Sequence, residues 1–256
     1  MAVAACDDCR ERVPVESVER LPYPSCGGGE LPEGEVLASG HLRAGPTMRG
    51  DRRIVERFEI RRRGCLHVVT VRQEWPLGTA DVEAVYDASL RPLRVWKRMV
   101  LPAADDPIAE ADIRLYELRH DPPTLEWRTP EGDMEYRILK GPRPEALVGP
   151  GRGLLSVWIR RAGLKVGEKE RVPVLDFRKE IETIEPVTLK RGPDRHDPSV
   201  GGEVRVYTVF GRETVFTDED GVVVGDLRGM RPDALLDTPA PPPLPAVAPP
   251  DPRDTP

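Results

Sequence analysis

The side chains best suited to metal or covalent chemistry in this chain are its four cysteines, Cys6, Cys9, Cys26 and Cys65. Cys6 and Cys9 have the C-x-x-C spacing found in zinc sites and in dithiol redox sites. A zinc site needs a second pair of ligands, and neither the remaining cysteines nor the four histidines complete a familiar spacing. A redox dithiol needs a strand before the pair and a helix that carries it, and the first residues predict neither. We therefore predict that the chain binds no metal ion and no cofactor.

The sequence pattern also does not nominate a nucleophile with a neighbouring base. Ser156 lies in a helical pattern without the G-x-S-x-G arrangement of hydrolases. His120 and His196 each precede an Asp-Pro pair, which is typical of turns. Glu180, Glu182 and Glu185 alternate with Ile181 and Ile184, and we expect the three carboxylates on a solvated strand face. The sequence therefore predicts a protein that is not an enzyme, with a hydrolase of unrecognised site as an alternative.

The first residues carry a candidate modification site. The segment Val3-Ala4-Ala5-Cys6 resembles the lipobox of bacterial lipoproteins, in which a branched apolar residue and two small residues precede the acylated cysteine. The resemblance implies that Cys6 is the site of lipidation, and that the protein is anchored in the bacterial cell envelope and faces the periplasm. An export signal needs an apolar segment of its own, and five residues precede Cys6, so this interpretation requires a start codon upstream of Met1. If Met1 is the true start, we expect a cytoplasmic protein.

Composition divides the chain into three parts. Residues 1–33 combine the lipobox-like start with a segment rich in proline and glycine, which is typical of a flexible tether. Residues 34–230 carry the strand patterns of a β domain. Residues 231–256 form a proline-rich end that we expect to be disordered and to favour polyproline II. An alternative function is that of a soluble exported module whose proline-rich end binds another protein.

The overall charge narrows the classes of partner. The 256 residues carry a formal charge of −6, with 39% hydrophobic and 32% charged residues. Nucleic-acid-binding proteins usually present a basic surface, so we predict no nucleic-acid partner. No stretch approaches the ~20 apolar residues that span a bilayer. Any attachment to a membrane is therefore expected through the lipid anchor alone.

Short segments of alternating apolar and polar residues dominate the middle of the chain. Thirteen such segments predict strands near 35–43, 52–62, 65–75, 80–87, 92–100, 111–119, 123–128, 133–139, 171–177, 180–190, 203–210, 212–217 and 221–227. Turn-forming residues such as Arg63-Gly64 and Asp220-Gly221 separate them. Short connections favour antiparallel neighbours, because parallel pairing needs a crossover of a dozen or more residues. The fold class is therefore mainly β, a single antiparallel curved sheet or half-barrel.

One segment has a helical pattern. Leu154, Leu155 and Trp158 recur at helical spacing, and Gly163 is suited to end the helix, which predicts one packed helix near 153–162. The preceding Gly-Pro-Gly-Arg-Gly segment, residues 149–153, lacks the GxxxxGK[ST] arrangement of a phosphate-binding loop. We interpret it as an ordinary loop. In the same way, we expect Cys65, within a strand-like segment, to be a small buried apolar side chain.

Tryptophan and tyrosine residues are distributed at about one per predicted element. Rings placed in this way usually form the core of a sheet. They can also line a hollow that takes an apolar ligand, as in barrels. Under this second interpretation we expect ligand contacts from Trp75, Trp96, Trp127 and Tyr136.

A β domain behind a lipobox-like cysteine, with a lone helix followed by more strands, resembles the curved half-barrels of bacterial envelope proteins. These include the lipoprotein-carrier type and related uncharacterised exported proteins, and the resemblance covers about residues 33–230. It implies that the concave face binds an acyl chain or a segment of a partner protein. The sequence thus predicts a non-enzymatic envelope lipoprotein that binds a lipid or another envelope protein.

Overall fold

The computed structural model describes residues 34–44, 54–101, 110–128, 134–178 and 182–236. The predicted tether, with Cys6, Cys9 and Cys26, lies outside the described residues, as does the proline-rich end from residue 237 onward. Among the described residues, no helix has the length and apolar character needed to cross a lipid bilayer.

The described chain is built mainly from β-strands. In chain order the strands are β1 (Glu35–Ala44), β2 (Val55–Arg63), β3 (Leu66–Trp75), β4 (Gly78–Tyr86), β5 (Pro92–Leu101), β6 (Glu110–Glu117), β7 (Thr124–Arg128), β8 (Met134–Ile138), β9 (Ala146–Val148), β10 (Lys169–Asp176), β11 (Ile184–Arg191), β12 (Arg195–Asp197), β13 (Gly202–Val209), β14 (Glu213–Thr217), β15 (Val223–Asp226) and β16 (Met230–Pro232). The helices are α1 (Gly153–Ala162), a 3-10 turn (Pro198–Val200) and the four-residue α2 (Asp233–Leu236).

The first sheet is a nine-stranded antiparallel meander with the order β16-β1-β2-β3-β4-β5-β6-β7-β8. Val68 and Val85 are buried and pair on one face, near one end of these strands. The register places Phe58 beside Val71 and Val71 beside Val82, so these three buried side chains share the other, core-facing side. Because side chains alternate along a strand, the polar residues between them share the opposite face. The sheet therefore has an apolar face toward the core and a polar face away from it.

The second sheet has the order β15-β14-β13-β11-β10-β9, and β12 pairs with β13 beside it. Its β9 and β10 are parallel, with Val174 opposite Ala146. Parallel neighbours need a crossover, and α1 lies in the connection between these two strands. The helix thus returns the chain to the start of the next strand.

The predicted mainly β class and the packed helix are confirmed. The predicted antiparallel half-barrel is confirmed as the first sheet. The structure adds a second sheet, in which one pair of strands is parallel. All thirteen predicted strand segments overlap observed strands, whereas β9, β12 and β16 were not predicted. Each of these has three residues. Three residues do not complete two periods of alternation, so they carry little pattern.

The boundary of the β domain is also corrected. Residues 231–236 were assigned to the proline-rich end, but β16 pairs with β1 and α2 follows it directly. The carboxylate of Asp233 in α2 lies 2.5 Å from Arg43 Nη2 and 3.3 Å from His41 Nδ1. The folded domain therefore extends at least to residue 236.

Helix α1 lies between the two sheets and contributes to both apolar clusters. Leu154 and Val157 belong to the cluster that includes Phe58 and Val71 of the first sheet. On its other side, Leu155, Trp158 and Ile159 belong to a cluster with strands of the second sheet, including Val174 and Tyr207. Burial of apolar surface on two sides of one helix stabilises the association of the two sheets.

The Gly-Pro-Gly-Arg-Gly segment before α1 packs directly against the first sheet. A β-carbon at Gly151 would lie 2.1 Å from Val71 Cγ1, and one at Gly153 would lie 2.7 Å from the Phe58 side chain. A β-carbon at Gly149 would lie 2.3 Å from the ring of Phe177. The three glycines therefore permit a close approach of the loop backbone to these side chains. This packing explains the glycine spacing, so a phosphate-binding role is not needed to explain it.

The interpretation of Cys65 as a buried apolar side chain is wrong. Cys65 is exposed, lies in the turn between β2 and β3, and is disulfide-bonded. Its partner lies outside the described residues. The β-strand alternation around Cys65 is interrupted by the turn at Gly64, and for this reason the residue leaves the sheet.

We predict that Gly151→Ala destabilises the protein, because the added methyl group overlaps Val71. Overpacking of this kind costs about 1–3 kcal/mol. The matched control is Gly192→Ala, where the nearest heavy atoms lie 3.6 Å from the added β-carbon and a change within about 0.5 kcal/mol is expected. Urea unfolding of both variants measures the difference, and equal stabilities would contradict the packing of the loop against β3.

Candidate functional site

The polar face of the first sheet forms a groove across β1 to β6. Its volume is about 760 Å³. The sheet is curled, so this face can enclose a volume that a flat sheet would leave open to solvent. The groove-facing side chains are mainly polar or charged: Ser39, His41, Arg57, Glu59, Thr70, Arg72, Asp81, Glu83, Arg94 and Arg98. Trp96 and Leu115 are apolar residues on the same face.

The strand register aligns the cationic side chains of the groove. His41 is opposite Arg57, Arg57 opposite Arg72, Arg72 opposite Asp81, and Asp81 opposite Arg98. We call Arg57, Arg72 and Arg98 the arginine row. Cross-strand neighbours lie about 5 Å apart. Arg57 and Arg72 are therefore adjacent in the row, and Asp81 of β4 lies between Arg72 and Arg98.

One carboxylate of the groove is shared between two members of the arginine row. Asp81 lies 3.7 Å from Arg72 Nη1 and 3.7 Å from Arg98 Nη1. Glu59 is held by Arg61, whose Nη2 donates to Glu59 Oε2 at 3.1 Å. In the described part of the chain, Arg98 Nε is buried and has no hydrogen-bond partner. Arg72 also pairs with Glu74 at 2.9 Å, so Arg98, with one carboxylate contact of 3.7 Å, is the row member with the most remaining guanidinium donors for an anion.

Helix α2 positions Arg57 through His41. Arg57 Nε donates a hydrogen bond to His41 Nε2 at 3.3 Å, and His41 Nδ1 lies 3.3 Å from Asp233. The accepting Nε2 assigns the imidazole proton to Nδ1, which faces the carboxylate. Asp233 of α2 thus orients the histidine that supports the first member of the arginine row.

The four aromatic residues predicted to contact a ligand are divided among three places. Trp96 and Tyr136 lie in one cross-strand row of the polar face, joined through Leu115 and Glu126. Trp96 lines the groove, and Tyr136 is 60% exposed at the edge strand β8.

The other two predicted residues lie on different surfaces. Trp127 belongs to the opposite face of the sheet, where the Arg137 guanidinium lies 5.7 Å from its ring centroid. Trp75 lines a separate cavity between the two sheets. Trp75 continues the core-face alternation of Val71 and Gln73, so it lies on the face that the second sheet covers.

A buried ion-pair network lies on the core face below the start of α1. Glu56 is fully buried, and its Oε1 accepts hydrogen bonds from the backbone N–H groups of Arg152 and, at 3.3 Å, Gly153. Arg152 Nη1 lies 3.3 Å from Glu56 Oε2, and its Nη2 lies 2.7 Å from Asp226 Oδ2. Glu56 therefore caps a helix that has no capping side chain of its own.

The network joins three parts of the fold. Glu56 comes from β2, Arg152 precedes α1, and Asp226 ends β15 of the second sheet. Burial raises the pKa of Glu56, and the attraction of Arg152 and the hydrogen bonds to Arg152 and Gly153 oppose this rise. A charge in this place is tolerated because its partners satisfy it, so loss of a partner is costly.

A second network is centred on Glu182, for which the sequence pattern predicts a solvated face. Its side chain is fully buried and contacts Arg114, Arg137 and the Tyr116 hydroxyl, which donates a hydrogen bond at 3.0 Å. Burial, followed by the charge of Glu182, raises the pKa of Tyr116 above its usual range. The expectation was wrong for Glu182, because it precedes β11 and packs against the core face of the first sheet. Glu185 is exposed on β11 as expected, and Glu180 lies outside the described residues.

Several residues whose types are common in catalysis make structural contacts or are exposed to solvent. Ser156 is buried, and its Oγ accepts a hydrogen bond from the Val223 N–H at 2.9 Å. His196 lies 3.3 Å from Glu203 on an exposed strand pair, and His120 is exposed. Among the described residues, no cluster of three or more histidine, cysteine, aspartate or glutamate side chains is arranged to hold a metal ion.

We predict that Glu56→Ala lowers the free energy of unfolding by about 3–5 kcal/mol, since it leaves Arg152 and the first N–H groups of α1 without their buried acceptor. The matched control is Glu35→Ala, which removes an ion pair with Arg62 whose side chains are 61% and 56% exposed. An exposed pair contributes about 1 kcal/mol or less. Urea denaturation compares the two variants, and similar losses would refute a central role for Glu56.

Comparison with known proteins gives no family assignment. No protein-family model matches the chain, and no curated protein matches it. A solved DUF1089 family protein from Pseudomonas aeruginosa is 14% identical, with a TM-score of 0.41, covering 67% of this chain and 88% of that one. A β-barrel-like protein of the domain of unknown function DUF1849 from Brucella abortus is 12% identical, with a TM-score of 0.43, covering 75% and 86%. Neither likeness supports an assignment of function.

Proposed function

We propose that this protein is a non-enzymatic binding module whose groove holds an extended segment of a partner protein that carries acidic side chains. The observation that carries the proposal is the arginine row, three guanidinium groups in register on one sheet face. Guanidinium groups bind carboxylates through paired, charge-assisted hydrogen bonds. An extended segment presents every second side chain on one face, so it can direct several carboxylates toward the arginine row.

The lining favours a protein segment over a bare acyl chain. Among the groove-facing side chains, Trp96 and Leu115 offer apolar surface, and most of the others are polar or charged. An acyl chain would remove those charges from water without replacing their hydrogen bonds, which is costly. A segment with carboxylates and a few apolar side chains satisfies both parts of the lining.

Two features of the groove are suited to specific contacts. Arg98 is 19% exposed at its side chain, and its ion pair with Asp81 is a single contact of 3.7 Å, so a ligand carboxylate would add hydrogen bonds to the exposed part of the guanidinium group. Trp96 lies in the next cross-strand row and provides a large apolar surface nearby. Arginine and tryptophan residues of this kind often dominate binding energy at protein interfaces.

The test is fluorescence anisotropy with a labelled peptide of alternating aspartate and leucine. We expect saturable binding that Arg98→Gln weakens about tenfold or more, the effect of one charge-assisted hydrogen bond. The matched control is Arg171→Gln, an exposed arginine on β10 of the other sheet, which should leave the affinity unchanged.

Palmitate added as a competitor distinguishes an acyl-chain ligand from a protein segment, the two ligand classes predicted from the sequence. Under the proposal, palmitate does not displace the peptide. Displacement by palmitate, together with no effect of Arg98→Gln, would instead make the groove an acyl-chain site.

We also propose that the protein is exported and anchored to the cell envelope through lipidation of Cys6. The lipobox-like segment at residues 3–6 supports this location. The disulfide at Cys65 supports it too, since structural disulfides persist in oxidising compartments. A soluble exported module and a cytoplasmic protein are the alternatives.

Mass spectrometry of the N-terminal peptide, after detergent phase separation of the natively expressed protein, tests the location. A diacylglyceryl group on Cys6 in the detergent phase is the expected result. An unmodified cysteine in the aqueous phase would refute the lipid anchor, and an intact Met1 would favour the cytoplasm.

A further inference from the structure

A second concavity lies between the two sheets and is separate from the groove. Its volume is about 330 Å³. Lys97 and Met99 of β5 line it, whereas Trp96 and Arg98 of the same strand line the groove on the opposite face. The alternation of one strand thus supplies both sites, and a ligand in one does not contact the other.

Cationic side chains outnumber carboxylates around this cavity. Its lining includes five cationic side chains and two carboxylates: Lys97, Arg152, Arg178, Arg212 and Arg228 with Glu213 and Asp226. The carboxylates already have partners. Asp226 is bound by Arg152 at 2.7 Å, and Glu213 lies 2.9 Å from Arg178 and 3.6 Å from Arg228.

Lys97 and Arg212 are the lining cations for which the described structure shows no carboxylate within ion-pair distance; Asp112 and Glu182 act on Lys97 at longer range. Lys97 is 4% exposed, and its Nζ donates a hydrogen bond to the Phe177 carbonyl oxygen at 3.2 Å. An ammonium group has three donors, so this contact leaves capacity for a ligand. Arg212 is exposed, in the turn before β14, at the edge of the same cavity.

The walls between these cations are apolar and aromatic. Trp75 and Met99 come from the first sheet, Leu155 from α1, and Phe177 follows β10. Small-molecule sites commonly combine apolar walls with a few placed polar groups, at volumes from about 300 Å³. The cavity therefore has room for a flat apolar group between the buried amine of Lys97 and the exposed guanidinium of Arg212.

We propose that this cavity binds a small organic anion, an oxyanion group attached to a flat apolar body. The oxyanion contacts Lys97 and Arg212, and the body packs against Trp75 and Met99. This site does not depend on the proposed function of the groove.

The test uses pyridoxal 5′-phosphate, which carries both an oxyanion and an aldehyde. The Lys97 amine attacks the aldehyde carbon, water leaves, and hydride from added borohydride reduces the resulting C=N bond to a stable amine. Burial, followed by repulsion from Arg114, lowers the pKa of Lys97, which increases the unprotonated fraction that reacts. Peptide mass mapping then locates the label.

We expect saturable labelling of Lys97 that inorganic phosphate suppresses by competition. Label on the exposed Lys169 is the internal control and should increase with reagent without saturating. Lys97→Met should abolish the saturable label and leave the label on Lys169 unchanged. Labelling confined to exposed lysines in the folded protein would overturn the proposal.

Arg212→Gln provides a second variant that does not disturb the buried lysine. Because one charge-assisted contact is lost, we expect the reagent concentration for half-maximal labelling of Lys97 to rise about tenfold. Labelling of Lys97 that responds neither to Arg212→Gln nor to phosphate would show a reactive amine without an anion site, and would also overturn the proposal. Peptide binding in the groove is expected to be unchanged in both variants.

Discussion

The carboxylate of Glu56 is the constraint on which the rest of the structure depends. It lies on the core face of β2, caps the start of α1 and pairs with Arg152, which in turn pairs with Asp226 at the end of β15. One buried charge therefore holds the helix against the first sheet and links it to the second. The glycines of residues 149–153 make this approach possible, since a β-carbon at Gly151 would overlap Val71. Together these contacts fix the distance between the sheets.

That distance determines what the two faces of the first sheet can do. On the core face, α1 and the second sheet cover the apolar side chains and leave a cavity beside Lys97. On the opposite face, the described residues leave a groove in which register, rather than any packed element, aligns the arginine row. A shift of one residue in the β4–β5 pairing would exchange the faces of Trp96 and Lys97. Strand register thus keeps the groove, on the polar face, separate from the cavity between the two sheets.

Much of the fold could be predicted from sequence because its long strands carry several periods of alternation. The segments at 65–75 and 92–100 illustrate this, as does the helix whose Leu154, Leu155 and Trp158 repeat at helical spacing. Three-residue strands such as β9 and β16 carry too little pattern to be found. Long-range pairing was also hidden. Glu56 pairs with Arg152, 96 residues further along the chain. Glu182 pairs with Arg137 and Arg114, which precede it by 45 and 68 residues. No local sequence pattern indicates contacts at such separations. The groove could not be predicted because aromatic spacing suggested an apolar hollow, whereas strand register placed cations there.

The measurement that tests the central claim most directly is the NMR spectrum of the tryptophan indole N–H groups during titration with the aspartate–leucine peptide. The four tryptophans occupy different places: Trp96 lines the groove, Trp127 lies on the opposite face, Trp75 lines the interior cavity and Trp158 is buried in α1. Occupation of the groove predicts a saturable shift of the Trp96 signal, with the signals of Trp75 and Trp158 unchanged. A shift of Trp75 without Trp96, or no shift at saturating peptide, would contradict the assignment of the groove as the binding site.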